Sequence, residues 1–139
     1  MISFNYEVEF DLSNEEHFSK WISEVILSES KKEGDINYIF CGDDYILEIN
    51  KQYLNHNYYT DIISFDYSVG NELHGDIFVS IDRVKENASD FNVTFDEELK
   101  RVIIHGILHY CGYKDKSDDD EVLMRQKEDE KIKMFHVEH

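Results

Sequence analysis

The chain contains no proline. Its turns must therefore come from glycine, asparagine and aspartate. Cysteine is nearly absent too, with only Cys41 and Cys111 present. The opening Met-Ile-Ser-Phe-Asn-Tyr lacks the basic start and apolar core of an export signal. Both cysteines are accordingly read as reduced thiols of a cytoplasmic protein, not as a disulfide. No apolar run approaches the roughly 18 residues of a membrane span, so none is expected. Basic residues are scarce: 14 lysines and arginines face 31 aspartates and glutamates, for a net charge of −17. That balance favours solubility and repels phosphate at long range. It also excludes the broad basic face by which nucleic-acid-binding proteins usually hold their ligand. Nucleic-acid chemistry on this chain must rest on a local site where metal ions supply positive charge.

What is present suffices for a folded domain. The 139 residues are 41% hydrophobic, which supports one domain, residues 1–139, with a real core. Residues 2–10 alternate Ile2, Phe4, Tyr6, Val8 and Phe10 with polar residues, the period of a half-buried strand. Ser13 with Glu16 forms a capping-box pattern. Phe18, Trp21, Ile22, Val25 and Ile26 follow at helical spacing, and Gly34 is placed as the helix stop. Residues 36–41 predict a second strand, and Asp43 or Asp44 caps a helix carrying Tyr45, Ile46, Ile49 and Tyr53. Residues 60–67 and 75–81, joined by a segment with a Gly-Asn turn signal, predict an antiparallel hairpin. A short helix is expected at about 81–90. Thr94 with Glu97 opens a helix running through Cys111 to a stop at Gly112, and Ser117 with Asp120 caps a last helix to about Met134. These elements predict an α/β (α+β) layer structure with interspersed and trailing helices.

The chemistry concentrates in His105-Gly-Ile-Leu-His109-Tyr-Cys-Gly112-Tyr-Lys-Asp115. His105 and His109 are four apart, so both imidazoles leave one helix face a turn from each other. Gly112 breaks the helix, and Asp115 can fold back as a third ligand. Three protein ligands with one open position is the pattern of catalytic zinc, whose bound water has a pKa of roughly 7. Two core histidines bonded to backbone, or two surface histidines, would carry the same spacing. A zinc peptidase of the His-Glu-x-x-His type keeps its general base directly after the first histidine. Gly106 stands there, which argues against peptide hydrolysis.

His105-Gly-Ile-Leu-His109-x-x-Gly112-Tyr113 resembles the signature of the YbeY family of endoribonucleases, His-Gly-x-Leu-His-x-x-Gly-Tyr-Asp-His. Thr60-Asp61-Ile-Ile-Ser64-Phe65 resembles the family's Pro-Thr-Asp-Val-Leu-Ser-Phe-Pro. His74-Gly75-Asp76-Ile77 resembles its Gly-Asp-Ile strand, and Asn50 falls where the family has Leu-Asn. The order and spacing match over about residues 43–128. The resemblance implies a mixed sheet of about four strands packed with about five helices. It implies a zinc-dependent endoribonuclease specific for single strands, acting on ribosomal RNA in small-subunit 3′-end maturation and in ribosome quality control. Ribosomal subunits, and with them ribosomal proteins, are the implied partners. Three departures stand out. The family's third metal-binding histidine falls at Asp115, after Lys114, so other divalent metals than Zn2+ become admissible. An arginine usual before Thr-Asp is Leu54. The prolines flanking that segment are Tyr59 and Asp66.

Beyond the metal ligands and a metal-bound water, no catalytic group is assigned by sequence. Substrate contacts are expected from Ser64, Asp61, Lys114 and Lys116. The lysines can hold phosphate or be solvated loop residues. Ser64 can touch RNA or pack, and Asp61 can orient a histidine or cap a turn. Tyr53, Tyr58, Tyr59 and Tyr67 can stack unpaired bases or belong to the core. His74 reads as a surface histidine, His136 and His139 as a frayed tail, and Cys111 as a small buried hydrophobe. Two rival functions remain at this stage. One is a non-enzymatic ribosome assembly factor with a structural metal, favoured by the charge because ribosomal proteins are basic. The other is a metallohydrolase of peptides or small molecules.

Overall fold

The computed structural model describes residues 1–54 and 60–136. The expectations for Tyr58, Tyr59 and His139 lie outside the described residues. In chain order the elements are β1 (Ile2–Tyr6), α1 (Glu15–Ser28), β2 (Lys32–Cys41), α2 (Asp43–Tyr53), β3 (Ile62–Asp66), β4 (Glu72–Ser80), α3 (Ile81–Asp90), α4 (Phe95–Tyr110) and α5 (Asp118–Phe135). The strands form one sheet in the order β1-β2-β4-β3. β1, β2 and β4 run parallel, and β3 pairs antiparallel with β4 as the hairpin pattern predicts. The mixed four-stranded sheet with five helices is the expected α/β class.

Alternation along the strands separates two cores. Ile36, Tyr38 and Phe40 of β2 and Leu73, Ile77 and Val79 of β4 join the main core with α1 and α4. Cys41 and Ile63 join a smaller cluster with Ile46 and Ile49 of α2. α4 is buried on most of its circumference, through Leu99, Val102, Ile103, Ile104, Ile107 and Leu108. Two tyrosines fasten it to the sheet. The Tyr38 hydroxyl donates to the Ile103 carbonyl at 2.8 Å, and the Tyr110 hydroxyl donates to the Phe65 carbonyl at 2.9 Å. Gly75 makes the second bond possible, because a Cβ there would overlap both the Tyr110 hydroxyl and the Phe65 carbonyl.

Four local expectations are corrected. The first strand ends at Tyr6, not at residue 10. Its last ladder bond runs from the Glu7 amide to the Phe40 carbonyl, after which β2 gives way to α2 and no partner continues. Val8 and Phe10 still pack against the core. The N-cap of α1 is Asn14, not Ser13. Asn14 sits at φ 61°, a left-handed conformation asparagine tolerates, and its side chain accepts from the His17 amide. α1 stops at Ser28, and Gly34 lies inside β2, which begins at Lys32. Glycine is required there because the His74 ring and the Leu73 carbonyl occupy the space of a Cβ. His74 is thus half-buried, accepting from the Asp35 amide at 3.0 Å and pairing with Glu72 at 2.8 Å.

α5 docks on α1 through a buried ion pair. Lys131 Nζ lies 2.8 Å from Glu29 and donates to Ser28 Oγ at 2.9 Å, while Trp21 Nε1 donates to the Lys131 carbonyl at 2.7 Å. Burial pushes the Glu29 carboxyl up, but the hydrogen bonds from Lys131 and Tyr113 outweigh it and hold the group below its ordinary 4.5. A depressed folded value means this stabilisation is complete above 4.5 and is lost as pH falls through the folded value. Glu29→Gln should cost about 3 kcal/mol near neutrality, the lower end for a broken buried pair because Glu130 still reaches Lys131. Urea unfolding at neutral and acid pH checks this: the variant should lose less stability on acidification than the wild type.

Candidate metal centre

α4 presents His105 and His109 on its one incompletely buried strip. The helix closes at Cys111, and Gly112 takes φ +106°, a conformation that favours glycine. Bonds from the Gly112 amide to the His109 carbonyl (3.0 Å) and from the Tyr113 amide to the Leu108 carbonyl (3.1 Å) turn the chain back over the helix end. Asp115 is thereby returned to the two rings. His105 Nε2 and His109 Nε2 are 2.9 Å apart, and Asp115 Oδ2 lies 3.2 Å from each.

The outer ring nitrogens fix which atoms face inward. His109 Nδ1 is 3.0 Å from the Tyr113 carbonyl, which can only accept, so Nδ1 carries the proton and Nε2 presents its lone pair. His105 Nδ1 is 2.6 Å from Glu128 Oε2, which likewise orients His105 Nε2 inward as an acceptor. Two lone pairs and a carboxylate oxygen therefore meet at hydrogen-bond distance. A proton shared within that set, or a metal ion at its centre, satisfies all three atoms. Edges of about 3 Å suit ligand atoms that each stand roughly 2.0–2.2 Å from one ion. His105, His109 and Asp115 are thus a set that could hold a metal, and the nitrogen and oxygen donors fit zinc or another first-row divalent ion. Burial alone would lower the affinity of His105 for a proton, but the hydrogen bond and charge of Glu128, with Asp115 and Asp61, raise it. The same negative field favours a bound cation.

Two cavities meet at this triangle. One, of about 690 Å³, is lined by His105, Asp115 and the α5 residues Asp118, Glu121, Arg125 and Glu128. The other, of about 280 Å³, adds Asp61, Asn87, Phe91, Glu98 and Arg101. Among the described residues Asp61 makes no hydrogen bond to a histidine; it accepts from Asn87 at 3.4 Å, and burial raises its affinity for a proton. Burial does the same to Glu98, with the Asp61 charge adding to it. Ser64 is half-buried on β3, opposite Ile77 and on the α4-facing side with Ile62. Lys114 and Lys116 are exposed beside Asp115, and neither lines either cavity. Tyr53 and Tyr67 are exposed, Tyr53 lying edge-on to Phe65, and Leu54 caps α2. Cys41 and Cys111 are both free. Burial pushes the Cys111 thiol up to about 11, which suits an inert packing role.

Sequence reasoning missed Glu128, the carboxylate that orients His105. It is buried on an otherwise acidic helix and also binds Arg101 at 2.9 Å. A signal existed: Met124, Glu128 and Lys131 recur at 4 and 3, marking the buried stripe of α5. Glu128→Gln keeps the shape and removes the charge behind His105. Zinc affinity measured by chelator competition should fall about 10- to 100-fold. Unchanged affinity would show that Glu128 does not support the ligand.

Comparison with known proteins agrees with this arrangement. The family described as Endoribonuclease YbeY matches residues 3–136. The chain is 69% identical to an Endoribonuclease YbeY of Flavobacterium psychrophilum, over 99% of this chain and 98% of the relative. It is 70% identical to that of Flavobacterium johnsoniae, over 99% of each. The solution structure of TM1509 from Thermotoga maritima superimposes with a TM-score of 0.67 at 29% identity, covering 97% of this chain and 89% of that one. The histidine pair, the glycine turn and the sheet beneath them thus lie within a match that runs nearly end to end, and the chain belongs to the YbeY endoribonuclease family.

Proposed function

We propose that this chain is a metal-dependent endoribonuclease that hydrolyses single-stranded RNA in the cytoplasm, acting in 3′-end maturation of small-subunit ribosomal RNA and in ribosome quality control. The observation that carries the chemistry is the triangle of His105 Nε2, His109 Nε2 and Asp115 Oδ2, open towards two cavities. RNA as the substrate class rests on the name shared by the relatives. Single-strand preference and the ribosomal target rest on the resemblance in the motifs. No helix among the described residues is long and apolar enough to cross a membrane.

One zinc ion on this triad would supply Lewis acidity towards a phosphoryl oxygen and acidify a water to a pKa of roughly 7. The chain's own residues do the rest. Glu128 and the Tyr113 carbonyl hold the two rings so that both Nε2 atoms face inward. Asp115 places a negative charge where the family signature has an imidazole, which leaves room for other divalent ions. Asp61 lines the smaller cavity with His105 and Asp115, and burial raises its proton affinity. It is our choice to exchange a proton with substrate or water. Lys114 and Lys116, exposed beside Asp115, are assigned a phosphate contact, and Ser64 a supporting substrate contact.

The peptidase reading loses ground in the fold. A Cβ at Gly106 would stand 3.0 Å from an Ile77 methyl and 3.2 Å from one of Ile62, so the position faces the sheet. The assembly-factor reading draws on the charge of −17, which complements basic ribosomal proteins. One experiment separates it from the enzyme. His109→Ala should lose bound zinc and cleavage of single-stranded RNA together, and a chelator should abolish wild-type cleavage. Full rescue of ribosomal RNA processing in cells by that variant would instead establish the assembly role.

A further inference from the structure

The chain holds three arginines, and two are spent on carboxylates. Arg83 Nε lies 3.1 Å from Asp43. Arg101 is gripped by Glu128 at 2.9 Å and Asp129 at 2.8 Å. Arg125 is different. Its guanidinium makes no hydrogen bond or ion pair with any described residue, and its charge reaches the buried Glu98 only through space. It is exposed, and it lines both cavities that meet at His105 and Asp115. The helical spacing of Asp118, Glu121, Arg125 and Glu128 turns one face of α5 towards the site. On that face Arg125 is the sole cation, in a chain whose net charge is −17. An unpaired guanidinium in such a field is available to an anion from solution, and its planar fork matches a phosphodiester.

The second cavity adds an apolar surface. Phe91 caps the end of α3, is 58% exposed, and lines that cavity with Asp61, Asn87 and His105. A large exposed ring beside a metal-ligand set is a platform for an unpaired base.

We propose that one RNA strand crosses the site from the α5 cavity to the α3 cavity, with Arg125 holding a backbone phosphate and Phe91 stacking a base. This rests on the endoribonuclease reading above and names the residues that hold the substrate for it. The arrangement requires a single strand, because a base seated on Phe91 must leave its pairing partner. It also explains how an acidic protein retains a polyanion: Arg125 in both cavities, with the exposed Lys114 and Lys116 beside Asp115, supplies local positive charge while the long-range field contributes nothing favourable.

The test is steady-state cleavage of a single-stranded RNA oligonucleotide by zinc-loaded protein across a salt series. Arg125→Gln should raise KM roughly 10-fold, about one charge-assisted contact, with kcat and bound zinc little changed. The slope of log(1/KM) against log salt should weaken by about 0.7, the share of one phosphate on a single strand. Arg125→Lys should recover part of both. Phe91→Ala should raise KM for the single strand and narrow its advantage over a duplex of the same sequence. Thermal unfolding of each variant, unchanged from wild type, separates these effects from misfolding. Wild-type KM and salt slope in Arg125→Gln, with wild-type cleavage intact, would overturn this proposal alone. Absence of metal-dependent cleavage by the wild type would remove the endoribonuclease reading, and this proposal with it.

Discussion

Two imidazole nitrogens and a carboxylate oxygen gathered at hydrogen-bond distance favour a proton or a metal ion between them. The contact of His105, His109 and Asp115 is therefore the constraint to which the surrounding structure answers. Each inward-facing atom is held by a partner behind it. Glu128 takes the outer nitrogen of His105, and the Tyr113 carbonyl takes that of His109. Tyr113 is itself anchored, since its hydroxyl donates to Glu29 at 2.7 Å, and Glu29 is bound to Lys131. The site is thus tied through its turn to the α1–α5 interface. α4 supplies the rigid element on which the histidines ride, pinned to the sheet by Tyr38 and Tyr110.

Charge distribution links the site to its substrate class. A net charge of −17 opposes any polyanion. Among the described residues around the site, acidic side chains dominate both cavities, and Arg101 is consumed by Glu128 and Asp129. Such a field is suited to concentrating a divalent cation. On the proposed function, a polyanion would be held by that cation and by isolated contacts, not by a basic surface. Membership in the YbeY endoribonuclease family gives this charge balance its context.

Much of this was legible in the sequence. Periodicity, cap patterns and turn signals located most elements, and the i, i+4 histidines followed by Gly112 and Asp115 located the candidate ligands, because those relations are set by backbone geometry within a few residues. Local signals failed where a distant group decided the outcome. Gly34 reads as a helix stop in sequence, yet it is a strand glycine because the His74 ring crosses it from β4. Residues 8–10 keep a strand's alternation but have no partner once β2 ends.

By itself, the sequence determined the class of fold, three candidate metal ligands, and a net charge that opposes a polyanion at long range. Only the tertiary structure decided which carboxylate of an acid-rich helix supports His105 and which arginine has no partner among the described residues. Those choices depend on side chains brought together from elements far apart in the chain. Glu128 meets His105 across 23 residues, and Arg101 meets Asp129 across 28. No periodicity within a helix records which of its charges will find a partner on another.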